Sequence, residues 1–287
     1  MDVPSLNREE VIHPEVTAGL ESLSAGEILE WALDKFSPRI ALACSFQAEG
    51  SVLIDMMHRR RGSDFRIFTL DTGRLNQETY DCMDAIRARY GVSVEVYFPD
   101  AIKVQEMVRE QGLNLFYKSI ELRQLCCGIR KVEPLKRALS DLSAWVTGLR
   151  RDQAVTRAEA RKVELDREHA NRVKVNPLAD WSHDQVWDYI RQNDVPYNRL
   201  YDQGYSSIGC APCTRAVKRV EDLRAGRWWW ENPETKECGV HVNLSGKLER
   251  NEEGHNPTDM ANDELSKRED LSTDNVRIRQ RPSRLGH

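Results

Sequence analysis

Two pairs of cysteines, Cys126-Cys127 and Cys210-Ala211-Pro212-Cys213, carry the strongest chemical signal in the chain. The two-residue gap of the second pair lets both sulfurs face one metal centre, and a set of four thiolates selects zinc or an iron–sulfur cluster. Adjacent residues normally point apart, so Cys126 and Cys127 can serve one centre only on an unusual backbone. A helix start or a turn supplies one, and the following Gly128 is compatible with that. The bland alternative is four unrelated buried thiols, because free cysteine packs as a small hydrophobe. Spacing alone does not choose between zinc and iron–sulfur.

Cys44, Cys82 and Cys238 stand outside the pairs. Cys238 lies in the polar stretch Lys236-Glu237-Cys238-Gly239-Val240-His241, where a nearby Lys or His would favour the nucleophilic thiolate; a packed, inert thiol is the competing reading. Arg215, Lys218, Arg219, Arg224 and Arg227 crowd the interval between Cys213 and Cys238, with Arg150, Arg151 and Arg157 further upstream. Such runs are usually solvated faces. Here their position between a metal-type site and a nucleophile favours an anion pocket, because guanidinium groups match phosphate and sulfate oxygens. The Trp228-Trp229-Trp230 run reads as a hydrophobic anchor at least as well as a stacking platform.

The elements needed to position these groups alternate. Apolar runs at Ile40–Cys44, Phe65–Leu70, Val92–Phe98 and Ala144–Thr147 read as strands, and Val173–Pro177 adds a weaker candidate. Helical spacing marks Ser24–Phe36, with Ser24 and Glu27 as a capping box, and also Ser51–Met57, the segment ending near Tyr90, Ala101–Glu110, Arg130–Leu139 and Ser182–Gln192. This order predicts an α/β fold with a mostly parallel sheet flanked by helices and an irregular C-terminal segment, placing ligands beyond the carboxyl ends of the strands. The loops Ser45–Ser51, Asp71-Thr72-Gly73 and Gly148–Gln153 fall at such ends. The first lacks a Walker frame, which argues against a nucleoside triphosphatase, and each loop alone is a weak signal.

Of the 287 residues, 40% are hydrophobic and 31% charged, enough to bury a substantial core. A formal net charge of -4 gives no global basic field for a nucleic-acid backbone, so any anion site is local. No nucleic-acid or membrane partner is expected. The first ten residues have no apolar core of a targeting signal and no run is long and apolar enough to span a membrane, so the expected location is cytoplasmic, where cysteine pairs suggest metal over disulfide. The organisation expected is an N-terminal segment over residues 1–22, a single domain over 23–244 and a polar tail or arm over 245–287. A homo-oligomeric state is left open.

Taken together, Cys126-Cys127-Gly128-Ile129-Arg130-Lys131, Cys210-Ala211-Pro212-Cys213 and Trp229-Trp230-Glu231 with Lys236-Glu237-Cys238-Gly239-Val240-His241 resemble assimilatory adenosine 5'-phosphosulfate reductases. Leu70-Asp71-Thr72-Gly73 and Thr147–Gln153 fit the same family in order along the chain, although Val240 stands where the family commonly has Leu and the tail is longer than expected. The resemblance implies an adenine-nucleotide alpha-hydrolase-like fold and one 4Fe–4S cluster on Cys126, Cys127, Cys210 and Cys213. It implies that Cys238 attacks the substrate sulfur, expelling AMP, and that reduced thioredoxin then releases sulfite. It also assigns Lys131, Arg157, Arg224 and Arg227 to the sulfate end, Ser45, Gly73 and Gly148 to loops around the nucleotide, and Asp71, Arg150 and His241 to the substrate site. The cluster is expected to organise or polarise the site without donating electrons.

Three alternatives accompany this reading. The same family includes cluster-free enzymes acting on 3'-phosphoadenosine 5'-phosphosulfate, which lack both cysteine pairs, and some cluster-bearing members accept both substrates. A thiol-dependent tRNA-modifying enzyme would use a related fold, but the weak phosphate loop and the acidic net charge count against it. A zinc-bearing interaction module is the non-enzymatic rival.

Overall fold

The computed structural model describes residues 14–154, 157–218 and 224–231. Helix α1, Pro14–Glu21, precedes α2, Ala25–Phe36. Ser24 and Glu27 form the expected capping box at the start of α2. Strand β1, Ile40–Ala43, leads into α3, Ala48–Arg61; β2, Arg66–Leu70, into α4, Gln77–Tyr90; and β3, Val94–Tyr97, into α5, Ala101–Gln111. Next come α6, Ile120–Cys127, a π-helical turn at Gly128–Val132, α7, Glu133–Ala138, and β4, Ala144–Val146. The hairpin of β5, Val163–Asp166, and β6, Arg172–Val175, precedes α8, His183–Asn193. No helix among the described residues is long and apolar enough to cross a membrane.

The strands form one sheet in the order β3-β2-β1-β4-β6-β5, parallel throughout except for β5, which runs antiparallel to β6. Both faces are covered, the usual condition of a parallel sheet. Ile40, Leu42, Val146, Val173 and Val175 pack on one face with the apolar sides of α2, α3, α4 and α8. Ala41, Phe68 and Trp145 point the other way, against Leu135, Ala138 and Leu139. The chain builds outward from β1 to β3, then returns to place β4 on the other side of β1, so the sheet has a switch point between β1 and β4.

Several expected boundaries move. Helix α3 begins at Ala48, so Glu49 and Gly50 belong to its first turn and not to the loop. The helix expected over Arg130–Leu139 is instead the continuation of a helix that starts at Ile120, where Ser119 accepts a hydrogen bond from the Leu122 amide. The N-terminal segment assigned to 1–22 contributes α1, whose Glu21 accepts from Arg151 Nη2 at 2.8 Å and from the Lys162 amide at 2.7 Å, so the domain starts before Leu23. The tail over 245–287 lies outside the described residues.

Candidate functional site

A cavity of about 180 Å³ opens at the carboxyl ends of β1, β2 and β4, on the switch point. Its floor is the turn from β1 into α3. Phe46 there is fully buried with φ of +53°, a left-handed conformation that a bulky residue adopts at a cost and that aims the turn inward. The Ala48 amide donates to Tyr201 Oη at 3.2 Å, and Gln47 Oε1 accepts from the Ile208 amide at 2.9 Å. These bonds clasp the turn to the segment leading into Cys210. Gly148 on the opposite wall has no room for a side chain, because a Cβ would sit 2.8 Å from Glu49 Cβ.

Ser45, Lys131, Gly148, Arg150, Arg157, Arg224 and Arg227, all named for the substrate site from the resemblance, border this cavity. Arg227 is buried. Its Nη1 donates to Ser207 Oγ and the Ile208 carbonyl, its guanidinium lies 4.8 Å over the Trp228 ring, and its Nε has no hydrogen-bond partner among the described residues. Among the described residues no carboxylate pairs with it. A buried cation left without a counter-charge is costly, and an anion entering the cavity offsets that cost.

Arg150 borders the same cavity but differs from Arg227 in its partners. Its Nε donates to Glu49 Oε1 at 2.9 Å, and its Nη1 to Asp152 and to the Trp181 carbonyl. With two carboxylates already on it, this guanidinium holds the 148–153 loop to α3 and has little charge to offer a substrate. Asp71 and Gly73 do not themselves line the cavity, although Leu70 and Leu75 on either side of them do. Asp71 is buried, accepting from the Gly73 amide at 2.8 Å and from Tyr80 Oη, and so shapes the turn that carries Thr72 toward the cysteines.

All four paired cysteines border a second, smaller cavity beside the first. Cys126 and Cys127 end α6 where the backbone widens into the π-helical turn, the irregularity that lets two neighbours face one space. The irregular backbone follows the pair; it is not a helix start. Thr72 Oγ1 lies 3.2 Å from Cys210 Sγ, and Arg123, anchored through Nε to Glu231 at 2.8 Å in a fully buried pair, reaches Cys127. Arg74, Arg130 and Lys131 complete a cationic frame. Burial pushes the Cys213 thiol up to about 12, and the sulfurs of Cys210, Cys127 and Cys126 add to the rise. Among the described residues no group of three or more His, Cys, Asp and Glu side chains is placed to hold a single metal ion.

Lys131 and Cys210 border both cavities, and they tie the anion-receiving wall to the cysteines. The remaining thiols differ. Burial raises Cys44 to about 12 and Cys82 to about 11, which disfavours the nucleophilic thiolate at both. Cys238 and His241 lie outside the described residues. Reading the sequence left Glu49, Thr72, Gln153 and Tyr201 without individual roles. The first three sit within the quoted loops, whereas Tyr201 carries no sequence signal at all.

Strand order, a cavity at the switch point and a buried arginine with no carboxylate partner among the described residues define an α/β protein with an arginine-walled cavity beside four cysteines. Residues 39–216 match the family described as phosphoadenosine phosphosulfate reductase domain, and the chain belongs to that family. It is 54% identical over 202 residues to the adenosine 5'-phosphosulfate reductase of Allochromatium vinosum, covering 70% of this chain and 78% of that one. It is 48% identical over 240 residues to the enzyme of the same name from Burkholderia cepacia, covering 84% and 94%. Among solved structures, the phosphoadenylyl-sulfate reductase of Candida auris in its phosphate complex is similar with a TM-score of 0.60 at 29% identity, covering 76% of this chain and 99% of that one.

Proposed function

We propose that this chain reduces adenosine 5'-phosphosulfate to sulfite and AMP in sulfate assimilation, using reduced thioredoxin. The observation that carries this reading is the shared border of the two cavities, where Lys131 and Cys210 meet both the anion-receiving wall and the paired cysteines. Relatives named for this activity support it.

The Cys238 thiolate attacks the sulfonyl sulfur, forming an S–S bond while the S–O bond to the phosphate of AMP breaks and AMP leaves with the electron pair. Lys131, Arg157, Arg224 and Arg227 meet the charge on the sulfonyl and phosphoryl oxygens, which grows on the leaving phosphate in the transition state. A thioredoxin thiolate then attacks Cys238 Sγ, sulfite departs, and the second thioredoxin thiol resolves the mixed disulfide, so the dithiol supplies both electrons.

Cys126, Cys127, Cys210 and Cys213 would hold a 4Fe–4S cluster. The donor set fits, since four thiolates are the usual ligands of such a cluster and the surrounding cationic frame suits its net negative charge. When bound, the cluster contributes structural order and charge at the border of the two cavities.

The test is Cys238→Ser. This variant should keep its iron and its nucleotide binding but make no sulfite. The parent holoenzyme given substrate without thioredoxin should accumulate AMP and a sulfonyl adduct on Cys238. Peptide mass analysis placing the adduct on Cys44 or Cys82 would contradict the mechanism.

A further inference from the structure

Gln153 stands between the two charged groups of the cavity's far wall, and every hydrogen-bonding position of its amide is used. Nε2 donates to Glu49 Oε1 at 2.9 Å and to the Gly148 carbonyl at 3.3 Å. Oε1 accepts from Arg157 Nη1 at 2.6 Å and from the Arg150 amide at 3.2 Å. Two acceptors lie on one side and two donors on the other, so only one orientation of the amide satisfies all four. Glu49 is fixed in turn by Arg150 Nε, itself buried with two carboxylates upon it. A chain of contacts therefore runs from the first turn of α3 through Glu49 and Gln153 to the Arg157 guanidinium on the cavity wall.

We propose that Gln153 is a positioning residue for the anionic end of the substrate, its amide oriented by Glu49 and Gly148 so that its carbonyl holds Arg157 against the cavity. The inference rests on reading the cavity as a sulfonucleotide site. A carbonyl acceptor orients a guanidinium without setting a further negative charge beside it, whereas Arg150 is gripped by the carboxylates of Glu49 and Asp152. Losing the acceptor lets a long side chain sample other rotamers, and the cost falls on substrate binding.

The test is a double-mutant cycle on the holoenzyme, with adenosine 5'-phosphosulfate as substrate. Gln153→Met, close in size and without amide hydrogen bonds, should raise KM about tenfold, the worth of one hydrogen bond to a charged group, while kcat changes far less. Arg157→Ala should raise KM at least as much, and adding Gln153→Met to it should raise KM no further, because a residue acting through Arg157 has nothing left to hold. If Gln153→Met does not fold, Gln153→Glu replaces it. The new carboxyl keeps the acceptor toward Arg157 but sets a second acceptor against Glu49 and the Gly148 carbonyl. Its KM relative to the parent's should then be raised at pH 8 and fall toward one as the pH is lowered and the carboxyl regains a proton. An unchanged KM in Gln153→Met, an equal fold-change with and without Arg157, or a pH-independent KM ratio in Gln153→Glu overturns the positioning role. A parent holoenzyme that does not turn over the substrate overturns the functional reading and this inference with it.

Discussion

Arg150 and Arg227 border one cavity, both buried, at 2% and 6% exposure, and their surroundings are electrostatically opposite. Arg150 meets Glu49, Asp152 and a backbone carbonyl. Arg227 meets a hydroxyl, a backbone carbonyl and the face of Trp228, and its Nε has no hydrogen-bond partner among the described residues. The first arrangement is complete without a ligand. The second has no carboxylate among the described residues, and an anion would complete it. Burial of an arginine in a cavity wall therefore does not by itself mark a binding group; the test is whether its charge is already cancelled.

The largest effect that would sharpen this contrast lies on the Arg227 side, where the cysteines are. Cys213→Ser and Cys210→Ser should each lose their iron and their activity, because a four-thiolate centre contributes folding free energy as well as charge. Cys44→Ser and Cys82→Ser should keep theirs, and iron analysis of purified protein decides. Full iron in either of the first pair would remove that cysteine from the ligand set.

The two arginines themselves come next. Arg150→Met removes the guanidinium that pairs with the mostly buried Glu49 and should cost about 3–5 kcal/mol of stability in urea unfolding. Arg227→Met should cost less stability than that but weaken sulfonucleotide binding by about 2–5 kcal/mol, read from KM or from titration. The contrast breaks if the two variants exchange these phenotypes.

The smallest effect is far from the cavity and serves as a control on buried charge. Burial works against the Asp55 carboxylate, but hydrogen bonds from Arg59, Tyr189 and Tyr90 outweigh it and hold its pKa below the ordinary carboxylate value. A carboxyl depressed on folding stabilises the protein above its unfolded pKa of about 4, and that contribution is lost as pH falls through the folded value. Asp55→Asn should therefore be less stable than the parent at pH 7, by about 1–2 kcal/mol, with the gap closing in acid. A gap that stays constant down to pH 3 would remove the carboxylate's charge from the account.

Much of this was legible in the residues. The apolar runs at β1, β2 and β4 are short, uninterrupted and followed by polar turns, so the parallel sheet and its ligand-bearing end follow from pattern alone. Strand β5 escaped because Val163-Glu164-Leu165-Asp166 sits between charged residues and alternates over only four positions. The cysteine pairs announced themselves by spacing. The arginines did not separate, because Arg150 and Arg227 differ only in partners brought in by distant segments: Glu49 lies about a hundred residues from Arg150 along the chain. The setting of Asp71 and Gly73 also depends on partners that their own loop does not reveal. Their loop stands at a strand end as expected, and the Asp71 hydrogen bonds turn it toward Cys210.

The most direct test is turnover itself, with the holoenzyme supplied with reduced thioredoxin and either adenosine 5'-phosphosulfate or its 3'-phosphorylated form. Sulfite and AMP should appear in equal amounts from the first substrate, at a higher kcat/KM than from the second. Absence of sulfite with both, or a preference for the 3'-phosphorylated nucleotide, would contradict the account.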